Sequence, residues 1–341
     1  MPETINQMFQ ESVTRYGPKD ALLYKDEGVY RSISYNEFSE RVKHFSLGLT
    51  TLGIEPGDRV ALISENRPQW VIADLAILAA GAINVPMFPT LPPQQLEYII
   101  NDSGACAAIV STAAQLMKIT EIKDNTPELQ HIIIMDELPP EASIDNLCHF
   151  DTVTQSGTTV DESIYQQRVE SIEPNDTATI IYTSGTTGQP KGVMLSHYNF
   201  VSNAIAGGGV FDIDENDVLL SCLPLSHVFE RTGGYYVPLA YGATVAYAES
   251  PYTVAQNLVE VHPTIMVAVP RLYEMMYARI LRTVESSSAL KQKLFNWGIG
   301  VGKEISRRIQ QNQHVSKILS LKAQLADLLV FRKLRQRTGG R

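Results

Sequence analysis

The sequence predicts an α/β protein built on parallel sheets flanked by helices. The first observation behind this is alternation: through the first 135 positions, short apolar, β-branched runs take turns with helical segments of about three turns. The second is bulk. A chain of 341 residues with 44% hydrophobic content can bury a large core and is too apolar to stay disordered. The third is a change of character from about Pro270, after which the chain reads as helix.

The elements follow in order. Ala21–Lys25 and Val29–Ile33 flank Asp26-Glu27-Gly28, a hairpin signal. Ser34-x-x-Glu37 is a capping box opening an amphipathic helix to about Leu52. A loop at Gly53–Asp58 leads to the strand Arg59–Ser64. The helix Pro68–Ala80 is followed by the strand Ala82–Phe88, the helix Pro92–Asp102 by Ala107–Val110, and the helix Thr112–Asp124 by His131–Met135. Such sheets bind ligands beyond the carboxyl ends of their strands. Four regions are expected: an α/β region over 1–142, a polar connection over 143–175, a second α/β region over 176–270 and a basic helical region over 271–341. Within the third, Tyr198–Ala206 reads as a helix stopped by Gly207-Gly208-Gly209. In the last, Glu285–Gln313 and Val315–Arg337 are long helical segments.

Charge narrows the function classes. There are 28 Lys and Arg against 37 Asp and Glu, which argues against a protein that coats nucleic acid. The balance is uneven. Residues 271–341 hold 15 basic against 4 acidic side chains, and residues 1–270 hold 13 against 33. Cys106, Cys148 and Cys222 are too scattered for a zinc site or a disulfide framework, and a reducing cytoplasm suits them. The N-terminus lacks the pattern of a signal peptide. The apolar run Trp70–Phe88 is broken by Asp74, Gly81, Asn84 and Pro86, and reads as buried helix then buried strand rather than a membrane span.

The sharpest motif is Thr183-Ser184-Gly185-Thr186-Thr187-Gly188-Gln189-Pro190-Lys191-Gly192, immediately after the strand Thr179–Tyr182. Glycines let backbone N–H groups turn toward a phosphate, hydroxyls donate to its oxygens or reach a metal, and a lysine adds charge. A Walker loop needs G-x-x-x-x-G-K-[ST]. Here Pro190 precedes Lys191 and Gly192 follows it, so that reading fails.

The motif resembles the signature loop of adenylate-forming, AMP-binding enzymes, a superfamily that includes acyl-CoA synthetases. Leu223-Pro224-Leu225-Ser226-His227-Val228-Phe229-Glu230-Arg231 and Val267–Glu274 resemble its long-chain fatty acyl-CoA synthetase branch, and Gly57–Ala61 and Ala79–Pro86 resemble its early segment. The resemblance spans essentially the whole chain. It implies the N-terminal part of a long-chain-fatty-acid–CoA ligase that uses ATP, Mg²⁺ and CoA and passes through an acyl-AMP. Thr183 and Ser184 would then contact phosphate or Mg²⁺. Gly185, Thr186, Thr187 and Gly188 would wrap the β- and γ-phosphates, and Lys191 would neutralise or anchor the loop. His227 would sit beside the α-phosphate and the incoming carboxylate; a lone His after an apolar strand can equally be a structural hydrogen-bonder. The aromatic gate of the acyl tunnel stays open among Phe229-Glu230-Arg231, Tyr235 and Tyr236.

Later family motifs have no counterpart. Tyr241-Gly242-Ala243-Thr244-Val245 mimics the aromatic-Gly-x-Thr-Glu segment but ends in Val245, and it reads as a turn into the strand Thr244–Ala248. No Thr-Gly-Asp occurs in the sequence. The expectation is a chain truncated before those motifs and inactive alone; a nucleotide- or acyl-binding module and one half of a split assembly are the alternatives. The basic region 271–341 is expected to pack on its own domain with Lys and Arg solvated. Peripheral contact with an anionic membrane is the competing reading.

Overall fold

The computed structural model of the chain describes residues 2–138, 145–183 and 188–340. These fall into two units, Met1–Ala248 and Glu249–Arg341.

In the first unit, α1 (Ile5–Tyr16) starts from Thr4, whose side chain forms a reciprocal capping box with Gln7. Strands β1 (Asp20–Asp26) and β2 (Val29–Ser34) form the expected hairpin. Its two turn residues, Glu27 and Gly28, have φ 47° and 81°, as a two-residue turn matched to strand twist requires. At the start of α2 (Tyr35–Thr51) the capping box is half realised. Ser34 Oγ accepts from the Glu37 N–H at 3.2 Å, but the Glu37 carboxylate is taken by Arg41 one turn on.

The alternation then runs as expected. It comprises β3 (Arg59–Ile63), α3 (Pro68–Ala79), β4 (Ile83–Met87), α4 (Pro93–Ser103), β5 (Ala105–Val110), α5 (Ala113–Ile122) and β6 (His131–Ile134). The stretch 145–175 carries β7 (Leu147–His149), α6 (Phe150–Gly157) and α7 (Glu162–Ser171). Phe150 at the head of α6 stacks on Phe45 of α2 with ring centroids 4.0 Å apart, and Tyr165 and Val169 of α7 pack with Leu47 and Ala79, so this polar stretch is anchored in the core. Next come β8 (Thr177–Thr183) and β9 (Lys191–Ser196).

Seven strands make one sheet in the order β7-β6-β5-β3-β4-β8-β9; all neighbours are parallel except β8 and β9. Ala61, Ile63, Val85, Ala108, Val110, Ile132 and Ile134 from its central strands pack with Leu96, Ile99 and Ile119 of the covering helices. A strand buried on both faces is apolar throughout, which is why these runs show no polar alternation.

Helix α8 (His197–Phe211) departs from expectation. It does not stop at Gly207-Gly208-Gly209 but runs through them to Asp212, which takes the left-handed cap at φ 50°. The reason is packing. A Cβ on Gly208 would lie 2.0 Å from Cε2 of Tyr241, whose hydroxyl donates to Ile205 O at 2.8 Å. Then follow β10 (Val218–Ser221), the one-turn helix α9 (Val228–Glu230), a π-helical turn at Arg231–Tyr236, α10 (Val237–Ala240) and β11 (Thr244–Tyr247). Gly242, at φ 73°, turns the chain into β11. A second sheet has the order β10-β11-β1-β2.

The second unit is helical: α11 (Val254–Val261), α12 (Pro270–Glu285), α13 (Ala289–Gln310), α14 (Lys317–Ala326), a π-helical turn at Asp327–Phe331 and α15 (Arg332–Gln336). Phe295, Val301, Ala326 and Val330 are its buried seam. Among the described residues, no helix is long and apolar enough to cross a membrane.

Candidate functional site

The strands β3, β4, β5 and β8 are parallel, so their carboxyl ends share one edge of the larger sheet. The glycine- and hydroxyl-rich motif starts at that edge. Thr183 ends β8 and pairs with Lys191, the first residue of β9, so residues 184–190 connect the two strands of a hairpin. This explains in structural terms why the Walker pattern fails: the chain leaves the loop as a strand, whereas a Walker loop opens a helix. Thr183, Gly188 and Lys191 are exposed. Gly188 has φ 97° with open space where a Cβ would be. Ser184, Gly185, Thr186 and Thr187 lie outside the described residues.

Two tyrosines tie the hairpin to α4. The Tyr98 hydroxyl donates to Pro190 O at 3.1 Å, and the Tyr182 hydroxyl donates to Asp102 Oδ2 at 2.6 Å. Burial and the Asp102 carboxylate both raise the Tyr182 phenol above its ordinary value, so it stays a donor. The loop therefore has a fixed stem.

His227 comes from the other sheet. The segment after β10 is clasped by Asn66, which follows β3: its Nδ2 donates to Ser221 Oγ at 3.0 Å and to Leu223 O at 2.6 Å, and its Oδ1 accepts from the Leu225 N–H at 2.9 Å. Asn66 thus joins the carboxyl ends of β3 and β10. His227 is the exposed N-cap of α9, and its Nδ1 accepts from the Phe229 N–H at 3.1 Å. With Nδ1 accepting, a neutral imidazole carries its proton on Nε2, a donor available to an anion. The structural and the ligand-facing readings of His227 are therefore compatible: one nitrogen caps the turn and the other is left for chemistry. Nearby, burial pushes the Cys222 thiol up to about 12, which removes it as a nucleophile.

The residues left open as a gate separate clearly. Glu230, Arg231, Tyr235 and Tyr236 are core, whereas Phe229 is exposed. Sequence reasoning missed what Arg231 does. With Asp74 of α3, Asn84 of β4, Thr179 of β8 and Tyr236, it forms a fully buried polar network. The available signal was Asp74 and Asn84 interrupting an apolar run, since a buried carboxylate demands partners.

Among the described residues, the Thr183 hydroxyl and the Lys191 ammonium lie at the end of the β8–β9 hairpin and the His227 imidazole follows β10; all three can donate to phosphate oxygens, and the hydroxyl can also accept or reach a cation. Among the described residues, no group of three or more His, Cys, Asp and Glu is placed to hold a metal ion.

Known proteins resemble this chain along nearly all of its length. The AMP-binding enzyme family matches residues 9–336. A long-chain-fatty-acid–CoA ligase from Xenopus laevis is 33% identical over 99% of this chain and 46% of its own length. One from Rattus norvegicus is 31% identical over 99% of this chain and 47% of its own. Among solved structures, an anthranilate–CoA ligase in complex with anthranoyl-AMP has a TM-score of 0.69 and 25% identity, covering 80% of this chain and 51% of its own. The chain spans about half the length of the curated relatives it matches.

Proposed function

Because the chain belongs to the AMP-binding enzyme family, we propose that it supplies the phosphate-gripping half of an enzyme that activates long-chain fatty acids with ATP and CoA, and that alone it turns over little or nothing. The observation that carries this reading is the tethered β8–β9 hairpin, which presents Thr183 opposite Lys191 at the carboxyl edge of a parallel sheet. The named activity of the relatives points the same way.

In the reaction, a fatty-acid carboxylate oxygen bonds to the α-phosphorus of ATP and the bond to pyrophosphate breaks. The CoA sulfur then bonds to the acyl carbon, and AMP leaves. Phosphoryl displacement is mostly positioning and charge stabilisation. Thr183, Ser184 and the loop through Gly185, Thr186, Thr187 and Gly188 would hold the β- and γ-phosphates, with Lys191 adding positive charge at the stem. The Nε2 proton of His227 would be donated to an α-phosphate or carboxylate oxygen. The hydroxyls of Thr183 and Ser184 would hold Mg²⁺, which would supply charge neutralisation on the phosphates. Groups acting together on one transition state fail together, so a chain holding only some of them should be nearly silent.

Pyrophosphate–ATP exchange with palmitate, alongside calorimetry with Mg·ATP, tests both parts. Binding without exchange is expected. Brisk exchange by this chain overturns its inactivity, and absence of binding overturns the phosphate grip.

One further observation favours a peripheral membrane contact for the basic region. On α14, Ile318 and Leu321 are 70% and 66% exposed and form a stripe with exposed Leu325 and Leu328. Lys317, Lys322 and Arg332 accompany it, and an apolar stripe edged with cations suits an anionic lipid surface.

A further inference from the structure

We propose that Arg231 is a positioning residue that sets the phosphate hairpin and the His227 turn against one another, an inference that rests on the phosphate-gripping role of that hairpin. The guanidinium has no solvent contact and divides its donors among three elements. Nη2 donates to Asp74 Oδ1 on α3, Nη1 to Thr179 Oγ1 on β8 at 2.8 Å, and Nε to the Tyr236 hydroxyl at 3.2 Å. Every acceptor is held from behind. Asp74 also accepts from Asn84 Nδ2 and from the Tyr236 hydroxyl, each at 2.6 Å, and the Thr179 hydroxyl donates to Asn84 O at 2.6 Å. Trp70, Phe200 and Tyr236 place ring centroids 5.1 to 5.6 Å from the guanidinium carbon, which fixes its plane.

The location gives the network its meaning. Thr179 lies four residues before Thr183 on one strand, roughly 13 Å along it. Arg231 lies four residues after His227, and its N–H donates to His227 O at 3.0 Å. The contact between Arg231 and Thr179 is therefore a short route between the two segments that carry the candidate ligand groups. The π-helical turn brings Tyr236 back onto Arg231. In a π turn, residues five apart align, and Arg231 and Tyr236 are five apart and hydrogen-bonded. Glu230 secures the other side of the same turn, accepting from Ser221 Oγ at 2.6 Å at the end of β10. A buried ion pair adds little net stability over an apolar filling of equal volume. What this one supplies is a single register between two strands and a turn, through a planar fork that a lysine cannot reproduce.

The test compares Thr179→Val, Thr179→Ser and Arg231→Lys in the full chain, by hydrogen exchange and by calorimetry with Mg·ATP. Thr179→Val keeps the shape and removes the hydroxyl, Thr179→Ser keeps the hydroxyl, and Arg231→Lys keeps the charge facing Asp74. Expected for Thr179→Val and Arg231→Lys is exchange at least ~tenfold faster in the 177–183, 191–196 and 228–236 peptides together, with β6 unchanged. The Kd for Mg·ATP should rise at least ~tenfold. Thr179→Ser should restore both. Loosening spread evenly to β6, hairpin exchange that does not change, or faster exchange with an unaltered Kd overturns the proposal. If the unaltered chain binds no Mg·ATP, the phosphate reading fails and the exchange data alone decide the coupling. If Arg231→Lys does not fold, the two Thr179 variants decide it.

Discussion

Arg231 donates Nη1–H to Thr179 Oγ1 across 2.8 Å with both side chains fully buried, and its other terminal nitrogen is paired with Asp74. Removing one member of this ion pair strands the other. Arg231→Met should cost about 3–5 kcal/mol in urea unfolding, because Asp74 loses its buried cationic partner and keeps only the neutral donors Asn84 and Tyr236. The double variant Asp74→Asn with Arg231→Met should recover a large part of that loss. Two single losses that simply add would show that the charges are not coupled.

The fold was legible where periodicity carried it. The alternation from Arg59 to Met135 places strands and helices correctly because most of its apolar runs are bounded by Gly, Pro or a capping hydroxyl. It fell short where tertiary contact overrode local preference. Three consecutive glycines read as a helix stop, but the ring of Tyr241 needs the space over Gly208 more than the helix needs a Cβ. For the candidate site, the glycine- and hydroxyl-rich motif Thr183–Gly192 stood out as a candidate, whereas the Asp74–Arg231 pairing did not, since those two residues are 157 positions apart. Only the misfit of Asp74 and Asn84 inside an apolar run hinted at it.

The glycines of α8 give a paired prediction. Gly208→Ala places a methyl inside the Tyr241 ring contact and should lower stability by about 1–3 kcal/mol. Gly209→Ala meets nothing within 4 Å and should raise it by about 0.5–1 kcal/mol through helix propensity. Thermal unfolding followed by far-ultraviolet circular dichroism reads both. A stabilising Gly208→Ala would mean the helix does not lie against Tyr241.

The exposed stripe on α14 predicts binding to vesicles of mixed neutral and anionic phospholipid. Leu321→Glu should reduce flotation with these vesicles at least ~tenfold, and 0.5 M salt should weaken it by screening the lysines and arginines. Equal flotation with purely neutral vesicles would remove the electrostatic part of this reading.

Glu230 predicts a pH dependence of stability. Its side chain is buried beside Ser221, Cys222 and Tyr247, with Gly234 leaving room for it, and burial pushes its carboxyl up from 4.5 to about 7. The Ser221 hydrogen bond to Oε1 opposes that shift without cancelling it. A carboxyl whose folded pKa is raised favours the fold while protonated. Its contribution is fully present below about 4.5 and is lost as pH rises through about 7. Glu230→Gln keeps a neutral group of the same shape and carries no titration. Its stability relative to the unaltered chain should therefore increase between pH 5 and pH 8, by up to about 3 kcal/mol, with no further change above pH 8. Urea midpoints at four pH values provide the measurement. A Glu230→Gln difference that is flat with pH, or that grows toward acid, would show that Glu230 is ionised in the fold and that its burial is compensated by a partner other than Ser221.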